Sequence, residues 1–234
     1  MSAWQQLLDG PLVALTITVA CFEFGAIIYR RSGHRPWLHP TFCGAGAVAA
    51  VLWLLDIDYH DYNAGVEILS LLLGTVTVAL AVPLYRQLAL IRQVALPVLI
   101  ATLGGATFAV LTAAGLACLF GASEQTLLSL LPKSISTPIA IGVSQELGGL
   151  VELTTGTVML TAVVGISTAP LLYRWCGIRD PRVQGFALGV AAHAMGTARA
   201  FEAGPVAGAF ASLGLCLTGI VTAVLLPSLA GLFL

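Results

Sequence analysis

The chain has 234 residues, 58% of them hydrophobic and 9% charged, with a mean hydropathy of +0.97 and a formal net charge of −1. A water-soluble domain carries roughly 25% charged residues, so a soluble globular protein is excluded, and the lack of a basic patch or acidic tail leaves no footing for nucleic-acid binding. An all-α polytopic membrane protein is expected: one transmembrane domain over 1–234, with room for about seven or eight apolar segments of ~20 residues each.

In chain order, the first ten residues carry no basic stretch leading into a cleavable apolar run, so no signal peptide is expected. The first apolar segment falls at about 11–29 and holds Glu23 near its middle, as a proton carrier, a partner for a neighbouring cation or a subunit contact. Further segments fall at about 38–55, 64–85, 94–120, 126–147, 150–173, 184–203 and 206–233. The short linkers hold the charges. Arg30, Arg31 and Arg35 mark one linker as cytoplasmic, Arg86 and Arg92 a second, and Arg174, Arg179 and Arg182 a third. The acidic linker at 56–63 belongs on the opposite side. Simple counting from Arg92 crosses three segments and puts the third basic linker outside. The conflict vanishes if 126–147, broken by Pro132 and Pro138, enters and leaves on one side as a re-entrant segment. Trp4, Trp37 and Trp175 lie near segment ends, as an aromatic belt requires. The run 69–81 echoes 128–140 position by position, with Thr75 matching Ser134 and Thr77 matching Ser136, which suggests a possible inverted repeat.

Two clusters carry the chemistry. The only lysine, Lys133, sits between two prolines in an apolar stretch with Ser134, Ser136 and Thr137. A cation there is costly unless it meets water, an acid or an anionic ligand, and a broken helix frees backbone N–H groups that favour an anion. A carboxylate is the expected ligand. In the second cluster Gly185, Gly189, His193 and Thr197 recur every four residues and would share one face of an unbroken helix. Arg199 would lie on another face, unless Gly196 disturbs the helix or Arg199 turns to Glu202 instead. His193 suits a coupling proton or a hydrogen bond to substrate. Glu146, just after the broken segment, would pair with Lys133 or end a helix before Gly148-Gly149. The five cysteines are scattered with no C-x-x-C pair, so no metal or cofactor is expected. Hydrolase, zinc-protease, P-loop and dinucleotide motifs are missing, so an enzyme is not expected.

The runs Leu73–Tyr85, Leu131–Ala140 and Gly185–Ala200, the last with Ala192-His193-Ala194-Met195-Gly196-Thr197-Ala198-Arg199, resemble the LrgB/CidB family of bacterial inner-membrane proteins over nearly the whole chain. The family usually has threonine where Ser136 stands and small residues near Thr75; an acid at Glu23 is not part of its pattern. The resemblance implies two functions. One is a holin/antiholin-like modulator of murein hydrolase export and autolysis, working with a small LrgA/CidA-type membrane partner. The other is a transporter for small 2-hydroxy or 2-oxo monocarboxylates of the glycolate, glycerate, pyruvate and lactate type, since plastid relatives resemble glycolate/glycerate carriers and bacterial relatives are linked to pyruvate movement. The carrier reading is preferred, as a homo- or hetero-oligomer in the bacterial inner membrane. In it Lys133 and Arg199 hold the carboxylate, Ser134, Ser136, Thr137 and Thr75 bond the remaining oxygens, Thr77 and Thr197 line the site, and His193, Glu23 and Glu146 are the proton-coupling candidates.

Overall fold

The computed structural model describes residues 10–79, 81–86 and 88–229; Trp4 falls outside them. Every regular element among them is helical. The chain forms two compact units, 1–80 and 81–234.

In the first unit, α1 (Pro11–Arg31) and α2 (Pro40–Leu55) form a tight pair. Proline opens both helices, where a missing N–H costs nothing. Their backbones approach because Gly25 and Gly44 carry no side chain. A β-carbon at Gly25 would stand 2.8 Å from the Pro40 carbonyl oxygen, and one at Gly44 3.2 Å from the Phe22 Cα. Arg30 and Arg31 close α1, where cations suit the negative helix end. Two further helices follow, α3 (Tyr59–Gly65) and α4 (Glu67–Ala79). Asp58 caps α3 by accepting the His60 N–H at 2.7 Å.

The second unit begins with the short α5 (Ala81–Arg86) and α6 (Leu88–Gln93), then the long apolar α7 (Ala95–Leu119). After a turn at Gly121 come α8 (Glu124–Leu130) and α9 (Thr137–Leu147), of 7 and 11 residues. The stretch between them is not helical. Pro132 removes one backbone donor and Pro138 pushes Thr137 away from a continuing helix. What remains is a turn in which the Lys133 N–H bonds the Leu130 carbonyl and the Ile135 N–H bonds that of Pro132, both at 3.3 Å. Gly148, left-handed at φ 80°, ends α9 and turns the chain into α10 (Val151–Trp175).

α9 and α10 form an antiparallel hairpin pinned by a hydrogen bond of 2.7 Å between the Ser144 and Thr154 hydroxyls. Thr154 also donates to the Ser129 carbonyl (3.0 Å), and the Ser129 hydroxyl accepts the Leu150 N–H (2.7 Å). All three hydroxyl residues are fully buried. This polar knot fastens α8 and α9 to α10, and Leu127, Leu128, Leu131, Ile135 and Val158 pack beside it.

α11 (Pro181–Ala203) runs antiparallel to α10: the Tyr173 hydroxyl donates to the Gln184 carbonyl at 2.8 Å, and a β-carbon on Gly165 would meet that of Ala192 at 3.1 Å. At His193 the backbone leaves the helix, with φ 40° and ψ −127°. The chain then doubles back. A β-carbon on Gly196 would collide with the carbonyl of Leu188, eight residues earlier, whereas eight residues of continuous helix span about 12 Å. α11 is thus two arms, 181–192 and 194–203, joined at a buried histidine. This corrects the expectation of one unbroken helix with Gly185, Gly189, His193 and Thr197 on a common face: the last two flank a reversal. The break also falls at His193 rather than at Gly196.

The final helix, α12 (Pro205–Leu229), lies parallel to the first arm of α11. Gly185 and Gly189 sit so close to Ala207 and Ala211 that any side chain would strike their carbonyl oxygens. Such contacts let dispersion forces hold helices together where no water drives them to associate.

Among the described residues four helices are long and apolar enough to cross a membrane: Pro11–Arg31, Ala95–Leu119, Val151–Trp175 and Pro205–Ser228. With the multi-helix, all-α fold they make this a multi-pass membrane protein. The eight expected segments reappear as helical regions, but α8, α9 and the arms of α11 are too short to span. The echo between 69–81 and 128–140 does not extend to conformation. Residues 72–77 are helical, whereas the matching 131–136 are not, because Leu73 and Ala79 stand where the second run has Pro132 and Pro138.

Candidate functional site

Two interruptions of helix define the candidate site, one after Pro132 and one at His193, and both lie in the second unit. At the first, Lys133 is half-buried, with its Nζ 3.3 Å from the hydroxyl of buried Ser134. Pro132 and Ile135 on either side are fully buried, which draws the lysine inward. Ser136 stands at the N-cap of α9, but its hydroxyl makes no capping bond. Thr137 opens that helix and Pro138 supplies no N–H. The first turn therefore leaves backbone donors at the positive end of the helix dipole, three and four residues from Ser134 and Lys133 along the chain.

At the second interruption His193 is 3% exposed. Its Nε2 lies 3.0 Å from the Val158 carbonyl oxygen on α10, which therefore accepts a proton carried on Nε2. Its Nδ1 is buried without a hydrogen-bond partner. A buried imidazole nitrogen without a partner is costly, and Nδ1 is the open polar atom of this interruption. The Thr197 hydroxyl donates to the His193 carbonyl at 2.9 Å and so satisfies a group that the break exposes. Both interruptions border α10 at Val158: it packs in one cluster with Leu131 and Ile135, and its carbonyl, one turn beyond Thr154, meets His193.

The remaining expected residues divide between the two units: Arg199 and Glu146 belong to the second, Glu23, Thr75 and Thr77 to the first. Arg199 pairs with Glu202 three residues on, the alternative that the sequence left open, and lines a different cavity together with Arg174 and Arg179. Glu146 is exposed near the end of α9. Glu23 is exposed and pairs along its own helix with Arg30 at 2.5 Å, two turns on. Thr75 in α4 is exposed and donates to the Leu72 carbonyl at 2.7 Å. The side chain of Thr77 lies outside the described residues. Near the start of α11, Asp180 takes three hydrogen bonds from the Arg182 side chain and one from its N–H, which hold its carboxyl below the ordinary carboxylate range. Among the described residues no group of three or more His, Cys, Asp or Glu side chains is placed to hold a metal ion.

Sequence reasoning missed the Ser129–Ser144–Thr154 knot. A single hydroxyl in an apolar run gives no sign of its partner 10 or 25 residues away. It also read Arg174 and Arg179 only as markers of membrane side.

The comparisons with known proteins agree on one family. The model of the LrgB-like family matches residues 18–232. The protein YxaC of Bacillus subtilis is 34% identical over 95% of this chain and 96% of its own. The holin-like protein CidB of Staphylococcus epidermidis is 32% identical over 86% of this chain and 87% of its own. The antiholin-like protein LrgB of Bacillus cereus is 27% identical over 93% and 94%. No solved structure matches. With the family model covering nearly all of a multi-helix apolar chain, this protein belongs to the LrgB-like family.

Proposed function

We propose that this chain governs the passage of small solutes across the bacterial membrane, and that it does so as a gated carrier for small 2-hydroxy or 2-oxo monocarboxylates. The observation that carries this reading is the pair of interrupted helices beside α10, one bearing a half-buried Lys133 and the other a buried His193 with an open nitrogen. Broken helices at membrane depth are tolerated where they line a polar path, and their ends suit charged substrates.

A membrane placement follows. α7 begins next to Arg86 and Arg92, and α10 ends at Arg174. If α7 and α10 cross and α8–α9 does not, both basic linkers face the cytoplasm, as their charge requires. At 7 and 11 residues, α8 and α9 reach about 11 and 17 Å, well short of a core about 30 Å thick. They form a re-entrant segment from the outer face. The two arms of α11, leaving from and returning to the basic linker, form a second one from the cytoplasmic face. Two such devices of opposite sense make a pseudo-inverted arrangement around α10. In this scheme Lys133, Ser134 and the open N–H groups of α9 hold the carboxylate, Ser136 and Thr137 bond its 2-substituent, and His193 carries a proton. Arg199, paired with Glu202, and the exposed Glu146 have no part in that set.

The second reading is autolysis control, as a holin/antiholin-like modulator working with an LrgA/CidA-type partner. It is favoured by the names of the relatives, holin-like CidB and antiholin-like LrgB, and on names alone it stands ahead of carboxylate transport. Geometry separates the two readings, since a lesion needs no buried lysine at a helix start. Proteoliposomes holding this chain, alone or with such a partner, distinguish them. The carrier reading predicts saturable uptake of labelled pyruvate or glycolate, faster under a pH gradient, with a bulky dye retained. Leakage of the dye without saturable uptake would establish the modulator reading instead.

A further inference from the structure

A separate cavity of about 690 Å³ lies between the last turns of α10, the 176–180 loop and the two arms of α11. That volume is in the range of small-ligand sites. Arg174, Arg179 and Arg199 line it, with Glu202 as its one acid. Glu202 is taken by Arg199. The neighbouring Asp180 is taken by Arg182 at 2.5 Å. Arg174 and Arg179 therefore have no acidic partner among the described residues, and the cavity holds an excess of two positive charges.

The floor has a different character: Ile166, Leu188 and Ala207 make it apolar. Pro170, also on the wall, has no N–H, so the Ile166 carbonyl four residues earlier loses its usual helical donor. Guanidinium groups present planar pairs of donors that match phosphate oxygens. The cavity thus offers an anion-binding rim and an apolar base. Basic pockets of this kind between helices at the membrane surface hold lipid head groups.

We infer that this cavity binds a phosphoryl-bearing ligand through Arg174 and Arg179, at a site distinct from Lys133. The phosphoryl group belongs either to the head group of an anionic lipid or to a soluble phosphate. This inference does not rest on the carrier reading.

The test uses the purified full chain in a neutral detergent, with the thermal unfolding midpoint followed as probe is added. The probes are short-chain phosphatidylglycerol and inorganic phosphate, with short-chain phosphatidylcholine as the control, all at constant ionic strength. Phosphatidylglycerol is expected to raise the midpoint saturably, and further than phosphatidylcholine does, if the source is lipid. Inorganic phosphate is expected to do so if the source is soluble. The paired change Arg174→Gln with Arg179→Gln should weaken the effective probe at least tenfold, while Arg35→Gln in the first unit and Lys133→Gln leave it unchanged. Both cavity arginines are exposed, so their loss spares the core; Arg179→Lys, which keeps the charge and loses the planar fork, should give an intermediate affinity. If neither probe shifts the midpoint more than phosphatidylcholine, or if the paired variant binds equally well, the inference is overturned.

Discussion

Thr154 connects three parts of the chain through one hydroxyl. It faces the Ser144 hydroxyl at 2.7 Å and the carbonyls of Ser129 and Leu150, both at 3.0 Å, in a fully buried setting. Thr154→Val keeps the shape and removes the hydrogen bonds, leaving buried polar atoms without partners. A loss of about 1–3 kcal/mol is expected, read as a lower denaturant midpoint in detergent. Thr155→Val, whose hydroxyl bonds only the carbonyl one turn back, should change little. Similar losses for both would contradict the assigned role of the knot. Gly149 belongs to the same knot, since a β-carbon there would stand 2.6 Å from the Ser144 hydroxyl. At this scale the sequence was legible where a residue is out of character with its surroundings. Lys133 in an apolar run and His193 in a glycine-rich one both stand at helix interruptions. Arg199 was equally out of character, yet it serves an ion pair with Glu202, because charge alone does not say which way a side chain turns.

At the scale of elements, proline made one break readable and left the other hidden. Pro132 and Pro138 predict the interruption between α8 and α9, and it is there. Nothing at 190–196 forbids helix, so α11 reads as a single span. Its reversal depends on packing: Gly185 and Gly189 let α12 lie against the first arm, and Gly196 lets the second arm fold onto Leu188. Gly189→Leu should therefore prevent formation of the α11–α12 pair and abolish monodisperse protein in size-exclusion chromatography. Gly156→Leu on α10, where a β-carbon meets nothing within 4 Å, should be tolerated. The re-entrant placement has its own test. In a variant lacking the five native cysteines, single cysteines at Ser123 and Ala203 should react with an impermeant thiol reagent from opposite faces of the membrane. Reaction from the same face would refute two segments of opposite sense. The repeat read between 69–81 and 128–140 fails at this scale for a local reason: a shared pattern of hydroxyls and leucines does not specify a break without the prolines.

Taken whole, the chain is a multi-pass bacterial membrane protein of the LrgB-like family. Composition alone sufficed for the membrane assignment, because 9% charge cannot clothe a soluble surface. Counting full crossings was harder. Hydropathy measures how apolar a segment is and not whether it turns back, so eight apolar segments become, among the described residues, four helices long enough to cross plus shorter pieces. The positive-inside conflict between Arg92 and Arg174 joined Pro132 and Pro138 as a sequence signal of that difference, and it is answered if α8–α9 is re-entrant. The central claim is that Lys133, at the start of a broken helix, holds a small carboxylate during transport. The most direct test is uptake of labelled pyruvate and glycolate by proteoliposomes containing wild-type protein, Lys133→Gln or Lys133→Arg at equal folded amounts. The account predicts saturable uptake by the wild type, a loss of at least tenfold in Lys133→Gln, partial retention in Lys133→Arg, and dye exclusion by all three. Unchanged uptake in Lys133→Gln would contradict it.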